Sequence, residues 1–331
     1  MSAVQTNSRD AMSAYCQFAD AIEYTRCPVC NSERISRHMV ANDFQYAIEG
    51  DYRTDRCHSC SLVFMNPMPT VAELKRFYPE DYYSFEPPSL PSGPRYWLRR
   101  LLGMQKKTFV PPFPRPGTML DIGCGAGQYL IEMRSKGWTV HGSELSNQAT
   151  AAGQRAGLDI RAGELTAAGF DTAMFDFVRS NHSFEHIPNS ASVLREIHRI
   201  LKPDGKLFLG LPNVAGAWAR LFGRYWWNFG VPVHTYNFSP RSIRVLLEAN
   251  GFTVERIRYY SDYSGLAGSA QIYLNRNLRP RRSTGRLLSN WVLRVPVHYL
   301  CRLLDLLHLG DCIEVIAVKT SGDKGRAVQG P

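Results

Sequence analysis

Long apolar runs are missing from this chain of 331 residues. No uncharged apolar stretch approaches the roughly 20 residues that a membrane-spanning helix needs. No N-terminal segment joins a basic end to an apolar run, so no signal peptide is expected and the expected location is cytoplasmic. Internal repeats are absent, which argues against a repeat architecture. Cysteine is too sparse for a disulfide scaffold. Of 8 cysteines, four stand in two C-x-x-C pairs, which points to metal binding in a reducing compartment. Acidic residues are outnumbered, 29 against 39 lysines and arginines. The resulting formal charge of +10 favours anionic partners such as a nucleotide-sugar, a phospholipid surface or RNA. Hydrophobic residues, at 44%, allow a sizeable core in one large domain or two smaller ones.

What is present centres on Leu120-Asp121-Ile122-Gly123-Cys124-Gly125-Ala126-Gly127. Met119 to Ile122 reads as a short buried strand that ends just beyond Asp121, and Gln128 to Ser135 as the following helix. Glycines at alternate positions let the backbone turn sharply and a ligand approach closely. Their spacing differs from the dinucleotide fingerprint G-x-G-x-x-G and from the phosphate loop ending in Gly-Lys-Ser/Thr. Trp138 to Glu144 reads as the second strand, with a carboxylate at its end. Such a carboxylate can accept both hydroxyls of a ribose.

Upstream, Cys27-Pro28-Val29-Cys30 and Cys57-His58-Ser59-Cys60 form two knuckles. Cys27, Cys30, Cys57 and Cys60 can supply four thiolates to one tetrahedral Zn²⁺, a closed and therefore structural site. His58 is expected to be exposed rather than a ligand. The segment through Phe44 and Tyr46 to Tyr52 reads as the ribbon's strands, Leu62 to Phe64 as another, and Thr70 as the cap of a short helix from Val71 to Tyr78.

Downstream, the spacing predicts a helix from Ser146 to Ala156, a strand at Asp159 to Arg161 and a fourth strand at Phe175 to Ser180. Ligands bind beyond the C-terminal strand ends of doubly wound sheets, which places Asn181, His182, Glu185 and His186 where chemistry should occur. His186 is a candidate base and Glu185 its orienting partner; the alternative is a pair that only organises the loop. A helix from Ser190 leads to a turn at Leu201 to Gly205 and a fifth strand, Lys206 to Leu211. The aromatic-rich stretch up to Phe238 reads as acceptor-pocket wall or lid, or as a packing insert, and His234 within it is a second candidate base. Ser239 caps a helix through Asn250, and Phe252 to Tyr260 and Ile313 to Lys319 are the last strands. Between them, Arg276 to Leu309 combines an arginine cluster with a leucine-rich helix. That composition suits contact with an anionic membrane surface; the stripe Leu287, Leu288, Val292, Val295, Tyr299, Leu303 and Leu306 suits covering the sheet or a dimer face.

The glycine stretch resembles the first motif of class I S-adenosylmethionine (SAM) methyltransferases, and the chain from Cys27 to Lys319 resembles members with an N-terminal zinc ribbon. The resemblance implies an α/β, Rossmann-like fold with a seven-stranded, mostly parallel sheet, its seventh strand antiparallel between the fifth and sixth. It implies that Asp121, Gly123, Cys124, Gly125 and Gly127 hold SAM, that Glu144 binds its ribose, and that Glu164 and Leu165 meet its adenine, with Asn181 nearby. It matches Glu185-His186 and His234 to positions used by the small-molecule branch. Leu201-Lys202-Pro203-Asp204-Gly205 resembles the family's Leu-Lys-Pro-Gly-Gly turn. Asn66 to Tyr83 resembles the branch acting on sugars and other metabolites, in which Tyr82 and Tyr83 border the acceptor site or pack at a domain junction.

The expected organisation is a flexible lead-in at 1–25, the ribbon and adjoining helix at 26–86, and a linker with an amphipathic helix at 87–117. The methyltransferase domain follows at 118–320, with the insertion at 276–309, and a tail at 321–331. The expected reaction is methylation of a hydroxyl on a sugar or other small or lipid-linked metabolite, with SAM as cofactor and structural Zn²⁺. The alternatives are C-methylation of a nucleotide-sugar and methylation of rRNA. No nucleic-acid partner is expected, a peripheral site on the inner membrane surface is allowed, and the oligomeric state is left open.

Overall fold

The computed structural model describes residues 18–44, 48–77, 88–89, 93–94, 97, 108–277 and 286–320. Tyr46, Tyr82, Tyr83, most of the amphipathic helix expected within 87–117, Arg279, Arg281, Arg282 and the 321–331 tail lie outside the described residues, as does most of the 1–25 lead-in.

The N-terminal part holds β1 (Ala21–Ile22), β2 (Ile35–Ala41), β3 (Tyr52–Cys57), β4 (Val63–Met65), β5 (Met68–Pro69) and α1 (Val71–Lys75). Thr70 caps α1 as expected, its side chain accepting from the Glu73 amide. Then come β6 (Thr118–Ile122), α2 (Gln128–Arg134), β7 (Thr139–Glu144), α3 (Asn147–Arg155), β8 (Asp159–Ala162), β9 (Phe175–Asn181) and α4 (Ser190–Ile200). The chain continues through β10 (Leu201–Pro212), α5 (Ala217–Phe222), β11 (Tyr236–Asn237), α6 (Pro240–Ala249), β12 (Phe252–Tyr260), α7 (Tyr263–Leu274), α8 (Arg286–Ser289), α9 (Trp291–Leu306) and β13 (Cys312–Lys319).

Seven strands form one sheet in the order β12-β13-β10-β9-β6-β7-β8. β13 runs antiparallel to both β10 and β12, and the β10-β9-β6-β7-β8 pairings are parallel. This is the expected Rossmann-like arrangement. Helices cover the sheet because their apolar residues recur at helical spacing: α4 buries Val193, Leu194, Ile197 and Ile200. Strand order reverses between β6 and β9, so a crevice opens beyond their C-terminal ends.

The smaller sheet has the order β11-β4-β3-β2. Its fourth strand comes from far downstream: Tyr236 pairs with Phe64 and Asn237 with Val63. Cys27, Cys57, Cys60, Leu62 and Phe64 share one buried cluster with Leu120, Phe184, Leu209 and Ile313. The cysteine knuckles are thus packed into the core of the large sheet.

The structure departs from the sequence reading in four places. The Leu201–Gly205 turn is a register shift inside a continuous β10: Leu201 pairs with Phe175 and Lys206 with Phe177. Lys202 reaches back to Asp176 at 2.8 Å, which anchors the irregularity. α7 was not foreseen; its small and mixed residues carry little amphipathic signal. The leucine-rich helix is split into α8 and α9, with Pro296 inside α9. Its stripe does not cover the sheet: Val292, Val295, Tyr299, Leu303 and Leu306 are exposed, Leu306 at 79%.

Candidate active site

The glycine loop stands at the end of β6, and all three glycines have positive φ: 66° at Gly123, 56° at Gly125 and 90° at Gly127. Two neighbours explain the tightness. A Cβ on Gly123 would run into Ser183, whose hydroxyl donates to the Ile122 carbonyl at 2.8 Å. A Cβ on Gly127 would collide with Leu158. The first glycine lies on the crevice wall and the third packs the loop onto the sheet.

Glu144, at the end of β7, is gripped by backbone amides. Gly125 N donates to Oε2 at 2.9 Å and Ser146 N to Oε1 at 2.8 Å. Burial pushes the Glu144 carboxyl up, and those amides offset part of the rise. Asp121 is 1% exposed and takes both oxygens to Arg179 on β9, at 2.7 and 2.8 Å. Burial raises the Asp121 carboxyl and Arg179 opposes that rise. The guanidinium of Arg179 also lies 3.8 Å from the ring centre of Tyr129. Sequence reasoning missed Arg179; an arginine next to Phe177 and Val178 in the middle of a strand was the available signal.

These groups line a cavity of about 850 Å³ beyond β6 and β9. Asp121, Gly123, Cys124, Gly125, Glu144, Glu164, Leu165, Asn181 and His186 are all on its wall, together with His182, Ser183 and Arg179. Gly127, Glu185 and His234 stand behind that wall. One cavity therefore joins the expected cofactor residues to the expected acceptor end.

At that far end the chain makes a tight turn. His182 has φ 52°, and its Nε2 is 2.7 Å from the Tyr260 hydroxyl. Phe184 to His186 form one 3-10 turn. Glu185 is 1% exposed, with His182 Nδ1 3.5 Å from its Oε1. His186 and His234 meet edge to face, ring centres 4.6 Å apart. His186 Nδ1 lies 3.0 Å from the Val233 carbonyl, and His234 Nδ1 3.0 Å from the Asn228 carbonyl. Burial lowers both imidazoles, that of His234 to about 3, so both are neutral at pH 7. Burial would raise the Glu185 carboxyl, but the contact from His182, together with the imidazoles packed around it, outweighs that and holds it below the usual carboxylate range.

The aromatic-rich segment is not a lid. Trp218, Trp226 and Phe229 are buried in a cluster with Phe18, Tyr52, Val63 and Met65 of the N-terminal part. Trp226 Nε1 donates to Asp311 at 2.6 Å and Asn228 Nδ2 to the same carboxylate at 2.7 Å. Only long-range packing distinguishes such a core from a pocket wall.

The four cysteines come together in the N-terminal part. Their sulfurs lie within 4.8 Å of one another, with Cys27–Cys60 and Cys30–Cys57 separations of 3.6 Å. A tetrahedral ion with metal–sulfur bonds of about 2.3 Å requires sulfurs about 3.8 Å apart, close to this spacing. His58 is exposed and hydrogen-bonded to Ser36, as expected of a non-ligand.

Residues 95–257 match the family model of a methyltransferase domain. A ubiquinone biosynthesis O-methyltransferase of Pseudomonas entomophila is 32% identical over 102 residues, which are 29% of this chain and 44% of that protein. The protein of the same name from Pseudomonas paraeruginosa is 33% identical over 103 residues, with the same coverage. The chain thus spans less than half the length of these curated relatives. A SAM-dependent methyltransferase of Archaeoglobus fulgidus superposes with a TM-score of 0.44 at 18% identity, covering 67% of this chain and 91% of that one. The strand order of the large, Rossmann-like sheet agrees with that match to a methyltransferase-domain model.

Proposed function

We propose that this protein is a SAM-dependent methyltransferase that methylates a hydroxyl of a small-molecule acceptor, a sugar or another metabolite. One observation carries the reading: a single cavity of about 850 Å³ runs from the glycine loop and Glu144 to His186. That volume lies within the roughly 300–1,000 Å³ of ligand sites. The residues fit SAM. The positive-φ glycines let the ligand lie against bare backbone. Each Glu144 oxygen accepts one amide bond and keeps a lone pair for a ribose hydroxyl. Bound SAM supplies an electrophilic methyl sulfonium. The chain supplies orientation, through the loop, and a neutral imidazole, His186 or His234, to take the acceptor's proton. Glu185 holds that end in place.

The relatives' names favour oxygen as the methylated atom. The sugar-type acceptor rests on the sequence resemblance alone. We also propose one structural Zn²⁺ on Cys27, Cys30, Cys57 and Cys60, favoured by the sulfur spacing. An anionic lipid surface is the proposed partner of α9. Its exposed apolar face is flanked by exposed Arg294 and Arg302, and the whole chain carries +10. Among the described residues no helix is long and apolar enough to cross a membrane. Sedimentation with vesicles rich in anionic lipid tests this, and no binding at low salt rejects it.

The function is tested by incubating the full chain with methyl-labelled SAM and fractionated cell extract. Label in a low-molecular-weight or lipid-linked fraction supports the reading. Label in rRNA overturns it.

A further inference from the structure

Arg179 has donors to spare beyond its pairing with Asp121. It stands on β9 directly opposite Asp121 on β6, and both residues line the cavity. Its side chain is only 14% exposed. Both hydrogen bonds to Asp121 come from one nitrogen, Nη1, at 2.7 and 2.8 Å. A guanidinium facing a carboxylate commonly uses two nitrogens in a fork. Here the second nitrogen, Nη2, makes no hydrogen bond among the described residues, and the buried Nε makes none either. The guanidinium is held in place by rings, with Tyr129 at 3.8 Å and Phe208 at 6.0 Å from its carbon. The Tyr129 hydroxyl offers it no acceptor, since it donates to the Phe109 carbonyl at 2.9 Å. Donors of a largely buried cation left without an acceptor cost free energy unless a ligand meets them.

Asp121 complements this. Each of its oxygens accepts one bond from Nη1 and keeps a lone pair. The cavity wall therefore presents, side by side, an anion with spare lone pairs and a cation with spare N–H groups. An α-amino acid carries the matching pair, an ammonium and a carboxylate on one carbon. β6 lies between β9 and β7, so this pair and Glu144 flank the glycine loop from opposite sides. The other lysine or arginine on the wall among the described residues is Lys75, which is exposed on α1.

We propose that Arg179 binds the α-carboxylate of the cofactor's methionine portion and so selects a cofactor that carries an intact amino acid. The proposal rests on the methyl-transfer reading and adds to it the recognition of one end of SAM. Nη2 is the donor to the carboxylate, while Nη1 stays on Asp121 and leaves that side chain's lone pairs to the neighbouring ammonium. With the ribose on Glu144, the cofactor is held on both sides of the loop. Arg179 moves no proton and contacts the cofactor alone.

The test is calorimetry on the full chain with three ligands: S-adenosylhomocysteine, its decarboxylated analogue, which keeps the ammonium, and adenosine, which lacks the amino-acid portion. Wild type should prefer S-adenosylhomocysteine to the decarboxylated analogue by roughly 10–100-fold, the range of a charged hydrogen bond. In Arg179→Met/Asp121→Asn, which leaves no stranded carboxylate, that preference should vanish while adenosine binds as in wild type and reports an intact fold. Arg179→Gln keeps an N–H donor for Asp121 without the charge; it should lose most of the preference and serves if the double variant does not fold. A purely structural arginine would weaken all three ligands together and leave the preference unchanged. Equal binding of S-adenosylhomocysteine and the analogue by wild type overturns the proposal and leaves the methyl-transfer reading standing. A full preference that survives in either variant also overturns it and moves the carboxylate to Lys75 or to the loop amides. A wild-type chain that binds neither S-adenosylhomocysteine nor adenosine removes the methyl-transfer reading and the proposal with it.

Discussion

The two ends of the cavity are built in different ways. The proposed cofactor end comes from consecutive strand ends: the Asp121–Gly127 loop after β6 and Glu144 after β7, joined by the Gly125 amide on the Glu144 carboxylate. The acceptor end is assembled from distant segments. Glu185 and His186 follow β9, while His234 arrives on a segment that also completes the N-terminal sheet. Thr235 links the two, its amide and hydroxyl donating to the Glu185 carbonyl at 3.0 Å while its own carbonyl accepts from Met65 at 2.9 Å. The cofactor end is therefore a local device that any sheet of this type can carry. The end with Glu185, His186 and His234 depends on how the cysteine-bearing part docks, through Thr235 and β11.

The comparison can be broken at several points. The largest effect is expected from Arg179→Met, which strands the buried Asp121 carboxylate. Removing one partner of a buried pair costs about 3–5 kcal/mol. Urea denaturation should show this loss, and Asp121→Asn on the Arg179→Met background should recover part of it. No recovery would mean that Arg179 acts by packing on Tyr129 rather than through its charge.

Next come His186→Ala and His234→Ala. Each should slow turnover by about 10²-fold while SAM affinity, measured by calorimetry, stays unchanged. A matching loss of SAM affinity would show that the two ends are not separable. The converse variant is Gly125→Val, which places a β-branched residue at φ 56°. Backbone strain of about 1–3 kcal/mol should weaken SAM binding by roughly 10–100-fold. Undiminished binding would take the glycine loop out of the cofactor site.

A pH-dependent test concerns the scaffold of the acceptor end. Burial pushes the Asp311 carboxyl up to about 7, against the hydrogen bond from Trp226. The fold therefore favours the protonated acid. Its contribution is complete below about pH 4, the ordinary carboxylate range, and is lost as pH rises toward 7. The stability of wild type relative to Asp311→Asn should fall between pH 4 and pH 7, read from urea midpoints. A constant difference would mean that Asp311 is charged throughout.

Much of this was legible in the residues. Apolar strands with glycine turns, the Ser146 and Ser239 caps, and the position of β13 between β10 and β12 follow from periodicity, capping chemistry and the family resemblance. So do the paired cysteine knuckles. The Leu201–Gly205 turn was misread because a bulge inside a strand uses the same residues as a turn. The aromatic segment stays open between pocket wall and packing insert in the sequence because aromatic side chains serve a core and a pocket wall equally well.

By itself the sequence determined the local devices: the loop whose glycines accept positive φ without strain, the carboxylate at the end of β7, and two knuckles two residues wide. Each depends on contacts between near neighbours, whose geometry the chain itself imposes. Only the tertiary structure decided that Arg179 neutralises Asp121, that β11 joins the cysteine-bearing sheet, and that His234 meets Glu185 and His186. Those meetings span dozens of residues, and no propensity or spacing encodes them. They exist because the buried faces of two sheets close over one core, and that closure brings together side chains that the sequence keeps apart.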